Sequence, residues 1–196
     1  MIFGSSIPKG LDSKRLAGKS GKTVINLAVG GAKISDVQKH MDLFFSGEHD
    51  YYKTENAKTL DSMNVINVII SVGTNDVLKI RNRVSSLYIP IQNLLRKAKT
   101  LFKCKVHFQG LIPIPSQPRE TADKVYEFNK IALKACQRER CYFLNVLDLF
   151  LNCNDFKKFF VLRRNGQVDI HPNKLGYSML AKFYIKIVRD YFSPVS

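Results

Sequence analysis

The chain has 196 residues, 45% of them hydrophobic, with 31 Lys+Arg against 16 Asp+Glu and a formal net charge of +15. That length and apolar share suffice for one substantial core and give no reason to divide the chain, so residues 1–196 are read as a single domain. No apolar run is long enough to span a bilayer and the first residues lack the regions of a signal peptide, so an intracellular setting, cytoplasmic or nuclear, is expected.

The charge says little about fold but predicts attraction to polyanions, either nucleic acid or an anionic membrane surface, that weakens as salt rises. The cations recur in "RKAKTLFKCK", "QRER" and "LRRN" rather than in one tract, so a merely solvated basic surface is the alternative. Cys104, Cys136, Cys141 and Cys153 are too few and too irregular for a disulfide framework and read as reduced thiols. The four histidines are scattered, and neither a metal nor another cofactor is expected.

In chain order, "IFGSSIPKG" (Ile2–Gly10) opens as a short strand that stops at Gly-Ser-Ser, only three residues from the start. So short a lead is what a domain excised from a larger polypeptide would show. "TVINLAV" (Thr23–Val29) reads as a second strand. Ser35 and Gln38 then form a capping-box pattern ahead of Val37, Met41 and Phe44, which starts a helix after "GGAKI". The polar segment from Ser46 to Met63 has weak periodicity and reads as a surface excursion.

"NVINVIISVGT" (Asn64–Thr74) is the next strand, followed by a helix in which Leu87, Ile91, Leu94, Leu95, Ala98 and Phe102 recur at three- and four-residue intervals. "KVHFQGLIPI" (Lys105–Ile114) is a fourth strand. Val125, Phe128, Ile131 and Ala135 mark another helix, "YFLNV" (Tyr142–Val146) a fifth strand, and Leu180, Tyr184, Ile187, Val188 and Tyr191 a final helix. Short β-branched runs alternating with amphipathic helices predict a mainly parallel five-stranded sheet between two helical layers, a three-layer α/β/α sandwich.

Ligands of such sheets bind beyond the carboxyl ends of the strands, so the informative loops are those that follow each strand. They read "GSS", "GGAK", "GTND" and "IPIPSQP", and past the last strand "VDIHPNKLGY" leads into the final helix. Each is ordinary alone: Gly-Ser and Asn-Asp are common turns, and His-Pro often begins a helix. Together they place a serine, a histidine, a carboxamide and backbone amides at one end of the sheet. Those are the parts of acyl transfer through a serine nucleophile.

In these blocks the chain resembles the SGNH hydrolases, also called the GDSL esterase/lipase family. "FGSSIPKG" is similar to their first block, "INLAVGGAK" to the second, "SVGTNDV" to the third and "DIHPNKLGY" to the fifth. The resemblance runs from about Ile2 to Phe192 and implies that the sandwich is of flavodoxin-like type. It implies that Ser6, second after Gly4, is the nucleophile, with Ser5 a neighbouring decoy. It implies an oxyanion hole formed by the backbone amides of Ser6 and Gly31 and the side-chain amide of Asn75, and His171 as the base. A looser likeness links the chain to esterase-like domains of LINE-type retrotransposon and large DNA virus proteins.

Two departures stand out. Ser5 replaces the aspartate of Gly-Asp-Ser, and Val168 occupies the place of the triad aspartate, three residues before the histidine. The only nearby carboxylate is Asp169, two residues before His171. It would complete the triad if the chain bends to suit; otherwise a Ser6–His171 dyad of weak activity remains. Two readings therefore stand: a serine esterase acting on acyl or acetyl esters, and a catalytically weak or inactive module that binds nucleic acid or another polyanion.

Overall fold

The computed structural model describes residues 1–49, 65–81, 83–115 and 118–190, the side chains of 188 and 190 excepted. Most of the polar excursion expected from Ser46 to Met63 lies outside these residues. Among them, four strands form one parallel sheet in the order β1 (Ile2–Gly4), β2 (Asn67–Ser71), β3 (Lys105–Gln109) and β4 (Tyr142–Leu144). The register pairs Phe3 with Ile70, Val68 with Val106 and Phe108 with Phe143.

The second strand expected, at Thr23–Val29, is reduced to a single parallel bridge, Ile2 to Asn26, on the outer edge of β1. Three backbone bonds still run beside β1, from Ile2 N to Ile25 O, Leu27 N to Ile2 O and Val29 N to Gly4 O. The Asn26 side chain explains the break. Its amide donates to Pro8 O and Leu11 O at 2.7 and 3.2 Å and its oxygen accepts from Ala28 N, so the side chain competes locally with regular pairing. Counting this segment, the spatial order is 2-1-3-4-5. The order reverses around β1, which puts the end of β1 at the switch point of the sheet.

Alternation along the strands divides the core. Phe3, Val68, Ile70, Val106 and Phe108 point to one face and pack against α3 (Ile34–Phe45), α5 (Tyr88–Phe102) and α6 (Arg119–Glu139). The stripe recognised on α5 does the burying: Ile91, Leu94, Leu95 and Ala98 are all fully enclosed. Truncating Leu94 to alanine there would cost about 2–5 kcal/mol through the cavity it leaves.

Ile2 and Ile69 point to the other face, towards α2 (Ser13–Ser20), α7 (Leu147–Leu151) and α8 (Lys174–Asp190). This face also carries buried polar groups that find partners. His107 Nε2 lies 2.9 Å from Asn67 Oδ1, and Tyr184 Oη donates to Gln109 Oε1. Burial pushes the His107 imidazole down to about 4.

The start of α3 corrects the expected cap. Lys33 is the capping residue, the Asp36 carboxylate accepts its backbone N–H at 2.9 Å, and Ser35 lies inside the first turn.

Candidate active site

Three chain segments converge at the carboxyl end of the sheet. β1 ends at Gly4, where only glycine fits: a Cβ would stand 2.1 Å from Ser71 O and 2.6 Å from Pro8 Cγ. Ser5 remains extended and buried, its N–H donating to Ser71 O at 3.0 Å. The chain then turns into α1 (Ser6–Lys9), and Ser6, its first residue, is half-buried at the end of the strand. Of the two serines, only the second presents a hydroxyl to the site.

His171 arrives from a part of the fold that was expected to be a loop. Residues around it form an antiparallel hairpin instead, β5 (Phe160–Leu162) with β6 (Val168–Pro172). Arg163 N donates to Gln167 O at 2.8 Å, and Gly166 takes the left-handed conformation the reversal requires, with φ +78°. This resolves the odd spacing of the acid. In a strand residues i and i+2 project to the same side, so Asp169 and His171 face one another along β6.

The side chains form a continuous chain of bonds. Ser6 Oγ lies 3.0 Å from His171 Nε2, and His171 Nδ1 lies 2.9 Å from Asp169 Oδ1. The same carboxylate oxygen accepts the His171 backbone N–H at 3.2 Å. Its other oxygen is held by Arg163, through Nε at 2.8 Å and Nη2 at 2.8 Å. Burial alone would raise the Asp169 carboxyl, but the bonds from Arg163, from the His171 ring and from two backbone amides outweigh it and hold it at about 2. An ionised carboxylate behind Nδ1–H leaves Nε2 free to accept a proton from the hydroxyl.

The glycine and asparagine singled out in the sequence come to the same end of the sheet. Gly31 is exposed with φ +78°, in the turn between the bridging segment and α3. Asn75 lies in the first turn of α4 (Thr74–Lys79), and its amide donates to Ala32 O at 3.1 Å, leaving its second N–H for another acceptor. Gly73, just before, has φ +124° and no room for a Cβ, which would lie 2.2 Å from the Phe128 ring. Asp76 accepts from Ile34 N at 3.2 Å, and burial pushes its carboxyl up to about 6 despite that bond. Asn75 and Asp76 thus pin the loop that carries Gly31. The loop after β3 is held differently, by Asn129 of α6, which bonds both N and O of Leu111 at 2.6 and 3.0 Å.

Two residues that position the site were not singled out in the sequence. Arg163 was counted only as surface charge, although "RNGQ" between two apolar runs is a hairpin signal that would have brought it beside Asp169. Asn173 joins the hairpin to α8: its amide donates to Lys158 O and Phe160 O at 2.8 and 2.9 Å, while its oxygen accepts from Leu175 N and Gly176 N. Among the described residues, no cluster of three or more His, Cys, Asp or Glu could hold a metal ion.

The chain belongs to the GDSL-like lipase/acylhydrolase family, whose model matches residues 4–179, and so to a family of hydrolases. Solved structures with the same fold include a lipase/acylhydrolase from Enterococcus faecalis, at 16% identity and TM-score 0.69, covering 100% of this chain and 97% of that one. A lipolytic protein of the G-D-S-L family from Veillonella parvula gives 17% identity and TM-score 0.72, over 95% of each chain. An acetylxylan esterase from Geobacillus stearothermophilus gives 13% identity and TM-score 0.65, over 95% of this chain and 92% of that one. No curated protein matches the chain. No helix among the described residues is long and apolar enough to cross a membrane.

Proposed function

We propose that this chain is a serine ester hydrolase that works through an acyl-enzyme on Ser6. The observation that carries the reading is the unbroken chain from Ser6 Oγ to His171 at 3.0 Å and on to Asp169 at 2.9 Å. In this mechanism Oγ attacks the ester carbonyl while His171 Nε2 takes its proton, then returns it to the departing alkoxide. Water repeats the sequence on the acyl-enzyme, releasing the acid and restoring Ser6. Asp169 holds the imidazole in the correct tautomer and stabilises its charged form. It is the third member despite Val168 standing in the family's usual aspartate place. The developing oxyanion is met by the backbone amides of Ser6 and Gly31 and the free N–H of Asn75.

The acetylxylan esterase among the fold neighbours makes a short acyl ester the natural first substrate. The test combines a fluorophosphonate probe with hydrolysis of a nitrophenyl acetate. Wild-type protein labels and turns over; Ser6→Ala loses both, with turnover reduced by about 10⁶-fold. Undiminished turnover in a clean Ser6→Ala preparation would remove Ser6 as nucleophile.

A further inference from the structure

Six of the chain's 31 lysines and arginines line one groove. α2 and α8 pack side by side, and the trough between them has an apolar floor of Leu11, Leu16, Ala181 and Ile185. Its rims carry Arg15 and Lys19 from α2, and Lys174, Lys182, Lys186 and Arg189 from α8, all six exposed. Among the described lining residues Asp12 is the one carboxylate, and it is already engaged as the cap of α2, accepting from Arg15 N at 3.1 Å. Among the described residues none of the six cations is ion-paired. Arg189 Nη2 donates to Lys19 O at 2.7 Å and ties the two rims together at the far end.

The arrangement is directional. Arg15 and Lys19, like Lys182 and Lys186, are one helical turn apart, about 6 Å along the axis, so each rim presents a ladder of positive charge. The near end lies beside the hairpin. Tyr177 lines the groove, packs so closely on Gly10 that a Cβ there would meet its ring at 2.2 Å, and has its hydroxyl raised by burial and by the charge of Asp169. Like charges facing each other across a trough attract a polyanion, which replaces the mobile counterions that otherwise screen them. A flat membrane would meet a protruding patch rather than a recess. A flexible single strand can follow the floor of a trough between two packed helices, whereas a rigid duplex, much wider than an α-helix, rests on the rims alone.

We propose that the α2–α8 groove binds a single strand of nucleic acid, its phosphates along the two cationic rims and its bases over the apolar floor, without reading sequence. Among the described lining residues Tyr177 is the one aromatic ring, so stacking contributes little there and counterion release dominates. Binding does not require Ser6 chemistry.

The test is fluorescence anisotropy of a labelled single-stranded oligonucleotide across a salt series, with a duplex of the same sequence and vesicles containing phosphatidylserine as further arms. Six phosphate contacts give a slope of log K on log salt of about −4. Lys19→Glu/Lys182→Glu/Lys186→Glu lowers affinity at low salt by about tenfold or more and roughly halves that slope. Lys130→Glu/Lys134→Glu/Arg138→Glu, an equal charge change on α6, costs less than about threefold. Equal losses in the two triple variants would overturn the proposal by showing that net charge alone binds. So would binding to the vesicles without binding to the oligonucleotide, or tighter binding of the duplex. Photocrosslinking on the wild-type protein checks the site without any substitution: adducts belong on residues 15–19 and 174–189, and adducts confined to other elements would refute the groove.

Discussion

The two halves of the candidate site are held by different physics. The Ser6 half stands on β1 and β2, where Phe3, Val68 and Ile70 are fully buried and Gly4 is clasped between Ser71 and Pro8. The His171 half stands on a two-stranded hairpin whose Val161 and Leu162 are 39% and 69% exposed. It keeps its shape through polar links: Arg163 to Asp169, and Asn173 to Lys158 and Phe160. A two-stranded hairpin is marginal alone, so these links add to the packing of Phe159 and Phe160 against Phe150. Ser6 is therefore placed mainly by packing, and His171 by hydrogen bonds above a smaller apolar anchor. Damage to the two halves should look different.

The largest expected effect after loss of Ser6 itself is at the carboxylate. Asp169→Asn keeps the size of the side chain but favours the wrong imidazole tautomer, and turnover should fall by about 10⁴-fold, far more than the accompanying loss of Tm from the weakened Arg163 link can explain. Steady-state kinetics on a short acyl ester check it, and near-normal turnover would mean that the hairpin supplies only the imidazole. Asn75→Ala should cost about 10²–10³ in kcat. Because Asn75 also bonds to Ala32 O, circular dichroism and Tm must be followed with it. A fall in kcat at unchanged Tm separates a part in the oxyanion hole from loop support.

The smallest effect sharpens the contrast most. Arg163 is largely exposed, so Arg163→Ala should lower kcat only about threefold to tenfold, with Arg163→Lys recovering part of the loss. Its signature is in pH. Asp169 sits at about 2 when folded, below its unfolded value, so its contribution to stability is complete above about pH 4 and is lost as pH falls towards 2. Without Arg163 the folded value rises, and acid unfolding should begin at higher pH than in wild type. Acid titrations of the two proteins that superimpose would show that Arg163 does not hold the carboxylate in solution.

The sequence by itself determined the α/β class, the strands of the parallel sheet and the identities at their ends, because period-2 and period-3.6 patterns and Gly-rich stops are local properties of the chain. The loops bearing Ser6, Gly31 and Asn75 were legible at strand ends for the same reason, whereas the choice of these residues and of His171 came from the resemblance to the SGNH hydrolases. The edge segment near Asn26 was not, since its pattern suits a strand and only the distant carbonyls of Pro8 and Leu11 divert its side chain. Nor was the geometry of Asp169. An offset of two residues means opposite things in a helix, a loop and a strand, and which of these holds depends on β5 and β6 pairing across the Asn-Gly turn. Likewise the cations of α2 and α8 lie some 160 residues apart in sequence, and their convergence on one groove is a product of packing. What is local in the chain could be read from it; what depends on long-range contact was decided by the tertiary structure, where burial and pairing outweigh local preference.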